Sequence, residues 1–280
     1  MSLVRRPYSY ALCLIAAGLG GSCPLWAEDR PETKARDALA RLASVYGIQI
    51  VAPDRPFEIS TWDGTISGHA PEEYRVGGFA RLLDEELSLY PKKLVDQTGL
   101  RRIILCEKLS FNGESWPSCA EHERREVFFN VAKGLDNKLY KRANIHHELF
   151  HLIDSRISPR LKSKTWIAIN PREFRYRSGG ADAQKDADTN PVSDRYPGFV
   201  NFYSTSDEAE DRAEVFATLV VRAAYIEQRT REDRVLREKV MWMKDTLRKW
   251  CPEVDDRFWE RAQRVNRRRP SHPPVIPISD

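Results

Sequence analysis

The sequence predicts an α+β fold in a single unit. Apolar, strand-like runs fall in the first half, at residues 48–52, 101–111 and 125–132. From Lys138 onward, helical periodicity dominates. No internal repeat or linker separates the two parts, so they are expected to share one core, with two lobes around a cleft.

Composition narrows the class. The chain has 280 residues, of which 41% are hydrophobic and 10% aromatic, too many for a disordered chain. The 45 basic and 41 acidic residues give a net charge of +4, too balanced to imply a nucleic-acid partner. Five cysteines are too few for a disulfide-built miniprotein.

The N-terminus reads as a secretory signal, residues 1–27. Arg5 and Arg6 precede a short apolar run from Ala11 to Leu19, small residues follow, and Ala27 stands before Glu28 and Asp29. The run is shorter than the roughly 20 residues that a bilayer demands. The mature protein is therefore expected to be exported, periplasmic or secreted, with no transmembrane segment. Cys23 follows Gly20-Gly21-Ser22 and loosely fits a lipoprotein signal, though without the usual Leu. Export permits disulfides, and Cys106 with Cys119 is the candidate pair. Cys251 is left over as a buried small residue.

The elements follow in order. Residues 32–46 form a helix with Ala38, Leu39, Leu42 and Val45 on one face, and 48–52 a strand. Residues 54–71 are rich in turn formers. Residues 71–94 are mainly helical and broken near Pro91. Strands are expected at 101–111 and 125–132, with a loop around Cys119 between them. A helix covers 138–157. Residues 158–206 read as a long irregular loop carrying Trp166, Phe174, Tyr176, Tyr196 and Phe199, as a rim of the cleft or an insertion pinned by its aromatics. Helices return at 207–229, 232–250 and 255–268. Residues 270–280 form a Pro-rich tail. The organisation is thus a leader, one domain over 28–269 (an α/β part to 137, a helical part from 138) and a tail.

Chemistry concentrates in the helix at 138–157. His147-Glu148-Leu149-Phe150-His151 fits the H-E-x-x-H pattern. His147 and His151 are one helical turn apart, so their imidazoles share a face and can hold one Zn²⁺. Glu148 beside them can take a proton from a zinc-bound water. Leu149, Phe150, Leu152 and Ile153 would bury the rest of the helix. His146 faces elsewhere and reads as a packing or surface residue. His69, His122 and His272 read as bystanders.

A catalytic zinc needs a third protein ligand. Asp154, Glu208, Glu210, Asp211 and Glu214 are the candidates. Glu210 and Glu214 are one turn apart on a half-buried helix, where two acids repel unless a cation is near. One can bind zinc while the other holds a ligand histidine by its free N–H. Spacing leaves open which does which.

The run from Tyr203 to Phe216 resembles the catalytic region of anthrax lethal factor-like metallopeptidases and related zinc-binding metallopeptidases, which are of the gluzincin type. In that group a Tyr stands seven residues before the ligand Glu, and a second Glu follows four later. Tyr203, Glu210 and Glu214 match those positions. The resemblance covers residues 138–220 well. It implies that Glu210 is the third zinc ligand and Glu214 the acid behind a ligand histidine. It implies that Tyr203 donates to the developing oxyanion, a role a positioned hydroxyl can fill. Asp154 also matches the group, as a helix-end residue or a support for the ligands. The implied fold is zincin-like: a small sheet with an edge strand, an active-site helix and a helical C-terminal part. Zincins place the edge strand just before the motif helix, here at 126–132, where it binds extended substrate.

The sequence thus reads as an exported zinc endopeptidase with one catalytic ion and a peptide or protein substrate. Two other classes stay open: a zinc amidase acting on cell-wall or other non-protein amides, and a non-catalytic zinc-binding protein. Glu148 and Tyr203 argue against the last.

Overall fold

The computed structural model of the chain describes residues 31–134, 137–157, 159–177 and 191–265. The expected leader (1–27), the tail (270–280), Cys23 and His272 lie outside these residues. The fold is α+β, with a small mixed sheet and many helices.

Helix α1 spans Pro31–Tyr46 and leads into β1, Gln49–Val51. A hairpin follows, β2 Phe57–Ser60 and β3 Thr65–His69, in a stretch whose sequence reads as turns. The turn closes with Thr61 N donating to Gly64 O at 2.7 Å. Asp63-Gly64 is the hairpin signal that marks it. Helices α2 (Glu73–Leu87) and α3 (Lys92–Thr98) are split at Ser88–Pro91, as the proline predicts. Gly99 then ends α3 at φ 72°, and a Cβ there would stand 2.6 Å from Arg156 Nη2. The left-handed conformation calls for glycine.

The long strand β4, Arg102–Phe111, organises the sheet. It pairs in parallel with β1 and with β7 (Glu126–Asn130), and antiparallel with β3 and the short β5 (Glu114–Ser115). The order is β2-β3-β4-β7-β6, where β6 is Ser118–Glu121. All five residues of β7 are buried, as expected for an interior parallel strand.

Two sequence expectations are corrected here. First, β7 is interior, and the edge strand before the motif helix is β6, antiparallel to β7. Ser118-Cys-Ala-Glu121 is too short and polar to announce itself as a strand. Second, Cys106 and Cys119 are free thiols, not a disulfide. Cys106 on β4 aligns with Asn130 of β7, and Cys119 on β6 with Phe128 of the same strand. A whole strand lies between them and their registers differ by two residues, so their Cα atoms are more than two strand spacings apart, over about 9.5 Å. A disulfide demands less than about 7 Å. Burial pushes the Cys106 thiol up to about 12 and raises that of Cys119 as well.

Helix α4 spans Lys138–Arg156, capped by Asn137, whose side chain accepts from Tyr140 N. Ile145, Leu149, Phe150, Leu152 and Ile153 are buried in one continuous core that also takes in β4, β7 and the C-terminal helices. The expected loop 158–206 is not wholly irregular: its start forms α5, Pro159–Ile169, and Tyr203–Thr205 forms a 3₁₀ turn. The helix expected over 207–229 breaks at Arg222 into α6 (Glu208–Val221) and α7 (Ala223–Glu232). Helices α8 (Arg234–Trp250) and α9 (Asp256–Arg264) complete the chain. Asp207, Asp233 and Asp255 cap α6, α8 and α9.

The insertion is pinned to the body. Trp166 is fully buried, and its indole N–H donates to Asp211 at 2.9 Å. Tyr176 donates to the same Asp211 oxygen at 2.6 Å. Buried Lys239 of α8 completes the network, 2.7 Å from that oxygen and 3.6 Å from the Phe199 ring centroid. Trp166, Tyr176 and Lys239 thus each place their polar group on Asp211 Oδ2, as burial demands.

Among the described residues, no helix is long and apolar enough to cross a membrane.

Candidate metal centre

Two helices build the site. Antiparallel packing of α4 on α6 is fixed by Phe150 on Phe216, with ring centroids 4.9 Å apart. Arg212 adds to it by donating to both oxygens of Asp154 at 3.1 and 3.0 Å, a pair almost wholly buried. Asp154 therefore engages the helix that carries Glu210 and Glu214.

The H-E-x-x-H spacing is helical throughout, so His147 and His151 share a face, with their Nε2 atoms 3.0 Å apart. Across the cleft, Glu210 Oε2 lies 3.0 Å from His147 Nε2 and 3.4 Å from His151 Nε2. Among the described residues, these three form the group of donors that could hold one metal ion, all within 4.8 Å of one another. Glu214 faces the other nitrogen of His147, with Oε1 2.9 Å from Nδ1. In space, Glu210 sits between the two rings and Glu214 behind one of them.

The donor set suits Zn²⁺. Nitrogen and carboxylate donors about 2.0–2.2 Å from one tetrahedral ion stand roughly 3.3 Å apart, close to the separations above. Glu210 Oε2 is buried against the two imidazole nitrogens and makes no hydrogen bond of good geometry. A buried acceptor without a partner is costly unless a cation supplies one. Electrostatics point the same way. Burial would raise the Glu210 carboxyl, but the two imidazoles hold it far below the usual carboxylate range. Burial would lower His147, but Glu210 and Glu214 raise it well above its ordinary value. The site is an excess of negative charge gathered on two rings.

Glu148 is buried beside them and accepts from Ser118 Oγ at 2.7 Å. Burial raises its carboxyl, against the pull of His147, His151 and Ser118. Tyr203 lines the cleft on the far side, its ring centroid 6.1 Å from that of His147.

Three participants are not evident in the sequence. Ser118 reaches Glu148 from the edge strand β6, thirty positions away in the chain. Asn201 donates to Glu214 Oε2 at 2.7 Å from the end of the insertion. His122, expected as a bystander, has its ring 6.3 Å from that of His151 and lines the same cavity. None of these has a fixed sequence offset from the motif, so no local signal marks them. His146, adjacent to His147, is fully buried and bonds to Tyr90 Oη at 2.5 Å and Glu86 Oε2 at 2.8 Å. It belongs to the packing of α4 on α2.

The cleft holding these groups has a volume of about 450 Å³. Its walls include Ser118, Cys119 and Ala120 of the edge strand, Trp116 and Phe111 beside them, and Pro191 and Asn201 of the insertion.

The fold has a solved counterpart. A solved structure from Bacteroides caccae ATCC 43185, described as a putative zinc-binding metallo-peptidase, shares the fold with a TM-score of 0.54. It is 17% identical, and the match covers 82% of this chain and 92% of that one. No family model and no curated protein matches the chain.

Proposed function

We propose that this protein is an exported zinc endopeptidase of the gluzincin type, resembling the lethal factor-like group. The observation that carries the reading is the buried carboxylate oxygen of Glu210 set between two imidazole nitrogens, with an intact Glu148 alongside. His147, His151 and Glu210 would hold one Zn²⁺, and Glu214, itself held by Asn201, would orient His147. When bound, the ion supplies Lewis-acid polarisation of the substrate carbonyl and a lowered pKa for water.

The chain's own groups do the rest. Glu148, fixed by Ser118, takes the proton from attacking water and passes it to the leaving amine. The Tyr203 hydroxyl donates to the oxyanion that forms on the carbonyl oxygen. Edge strand β6 offers unpaired backbone groups along the cleft, where an extended peptide can add as a further strand. The substrate is a peptide or protein, and residues 28–269 act as one domain.

A digest distinguishes this from its competitors. The purified protein is expected to cut a casein-type substrate, to stop on chelation and to recover with added Zn²⁺. Release of fragments from purified cell wall but not from casein would point to the amidase. Inactivity on both with zinc present would leave a binding protein.

A further inference from the structure

The cleft runs on past the metal ligands, between α4 and α6. Tyr140, Ala143 and Asn144 of α4 line one wall, and Ala217, Thr218 and Val221 of α6 line the other. These residues step along each helix by three and four from His147 and from Glu214, so each set is one stripe. At the end of the α6 stripe stands Arg222, which closes the helix and lines the same cavity. Two turns separate it from Glu214, roughly 12 Å of helix.

Arg222 is half-buried, and burial works against its charge. Among the described residues, no carboxylate is paired with it. The acids nearest the centre are committed elsewhere: Glu148 to Ser118, Glu210 to the two imidazoles, Glu214 to His147 and Asn201. The other cation on the wall, Lys133, already donates to Ser115 O at 2.8 Å. Arg222 is therefore left lining a cleft whose walls mix apolar groups with Asn144 and Thr218, and its fork of donors has no hydrogen-bond partner among the described residues. A planar fork of N–H groups in a partly dry groove matches a carboxylate.

We propose that Arg222 sets the specificity of the cleft by receiving a carboxylate of the substrate, from an acidic side chain next to the cleaved bond or from the substrate's own C-terminus. The proposal deepens the peptidase reading and rests on it for the identity of the ligand. A charge-assisted pair in such a place favours the acidic ligand by about tenfold or more over a neutral isostere.

Two measurements test it. Wild-type protein is given a mixed-sequence peptide pool, and cleavage sites are read by mass spectrometry. Separately, labelled peptides that differ by Glu or Gln at one position, each with a free or amidated C-terminus, are bound to Glu148→Gln protein and followed by fluorescence anisotropy. The expected result is about tenfold tighter binding of the Glu peptides, or of the free-terminus peptides, according to the source of the carboxylate. Arg222→Gln should erase that preference, Arg222→Lys keep part of it, and Arg222→Glu turn it toward Lys-containing peptides. Unchanged ratios in Arg222→Gln, or no binding of any peptide, would overturn the proposal. If the preference is present and depends on Arg222 while wild type cuts nothing, the subsite stands and the peptidase reading fails.

Discussion

Replacing Glu148 with Gln is expected to lower peptide cleavage by about 10²–10⁴-fold while the protein keeps its zinc. The reasoning is geometric. Glu148 follows His147 on α4, lies buried in the cleft and is held by Ser118 at 2.7 Å. It is absent from the donor set formed by His147, His151 and Glu210. Gln preserves shape and can still bond to Ser118, but it cannot take a proton from water. Activity should therefore fall through turnover, with zinc content and peptide affinity near those of wild type. An active Gln variant would remove Glu148 from the chemistry. A variant without zinc would mean that Glu148 is part of the metal cage.

The second large effect is on stability. Arg212→Ala is expected to destabilise the fold by about 3–5 kcal/mol. Arg212 is 1% exposed and donates to both oxygens of Asp154, which is 4% exposed. Removing the guanidinium leaves a buried carboxylate without its cation, the costly way to break such a pair. It also loosens the contact that holds α6 against α4, and with it Glu210 against the histidines. The double replacement Asp154→Asn with Arg212→Met should recover a good part of the loss, since no charge is then stranded. Urea denaturation monitored by circular dichroism measures both. A loss under about 1 kcal/mol in the single variant would show that this pair does not hold the helices together.

These effects separate what was legible in the sequence from what was not. The chemistry of α4 is written at fixed helical offsets, so His147, Glu148 and His151 can be placed on one face from spacing alone. The same holds for Glu210 and Glu214 along α6. Which of these acids meets the imidazoles depends on how two helices cross, and periodicity does not encode that. The resemblance to the lethal factor-like group implies an answer; in the fold, Glu210 Oε2 stands 3.0 and 3.4 Å from the two imidazole nitrogens.

Strand pairing was less legible. The apolar runs at 101–111 and 125–132 announced two strands but not that β7 lies between β4 and β6. That order is what separates Cys106 from Cys119, and what makes Ser118-Cys-Ala-Glu121 the edge of the sheet. The β2–β3 hairpin could have been found from Asp63-Gly64. Ser118 and Asn201 could not, because each acts across a long loop closure on a side chain it does not neighbour in the chain.

The central claim is that His147, His151 and Glu210 form one zinc site, with Glu214 supporting it from behind. Competitive zinc titration of chelator-stripped protein tests it most directly. The account predicts about one tightly bound zinc per chain. It predicts near-complete loss of tight binding in Glu210→Gln and a weaker effect in Glu214→Gln, about 10–100-fold in affinity. A wild-type protein that takes up no zinc, or a Glu210→Gln variant that binds it as tightly as wild type, would contradict the account.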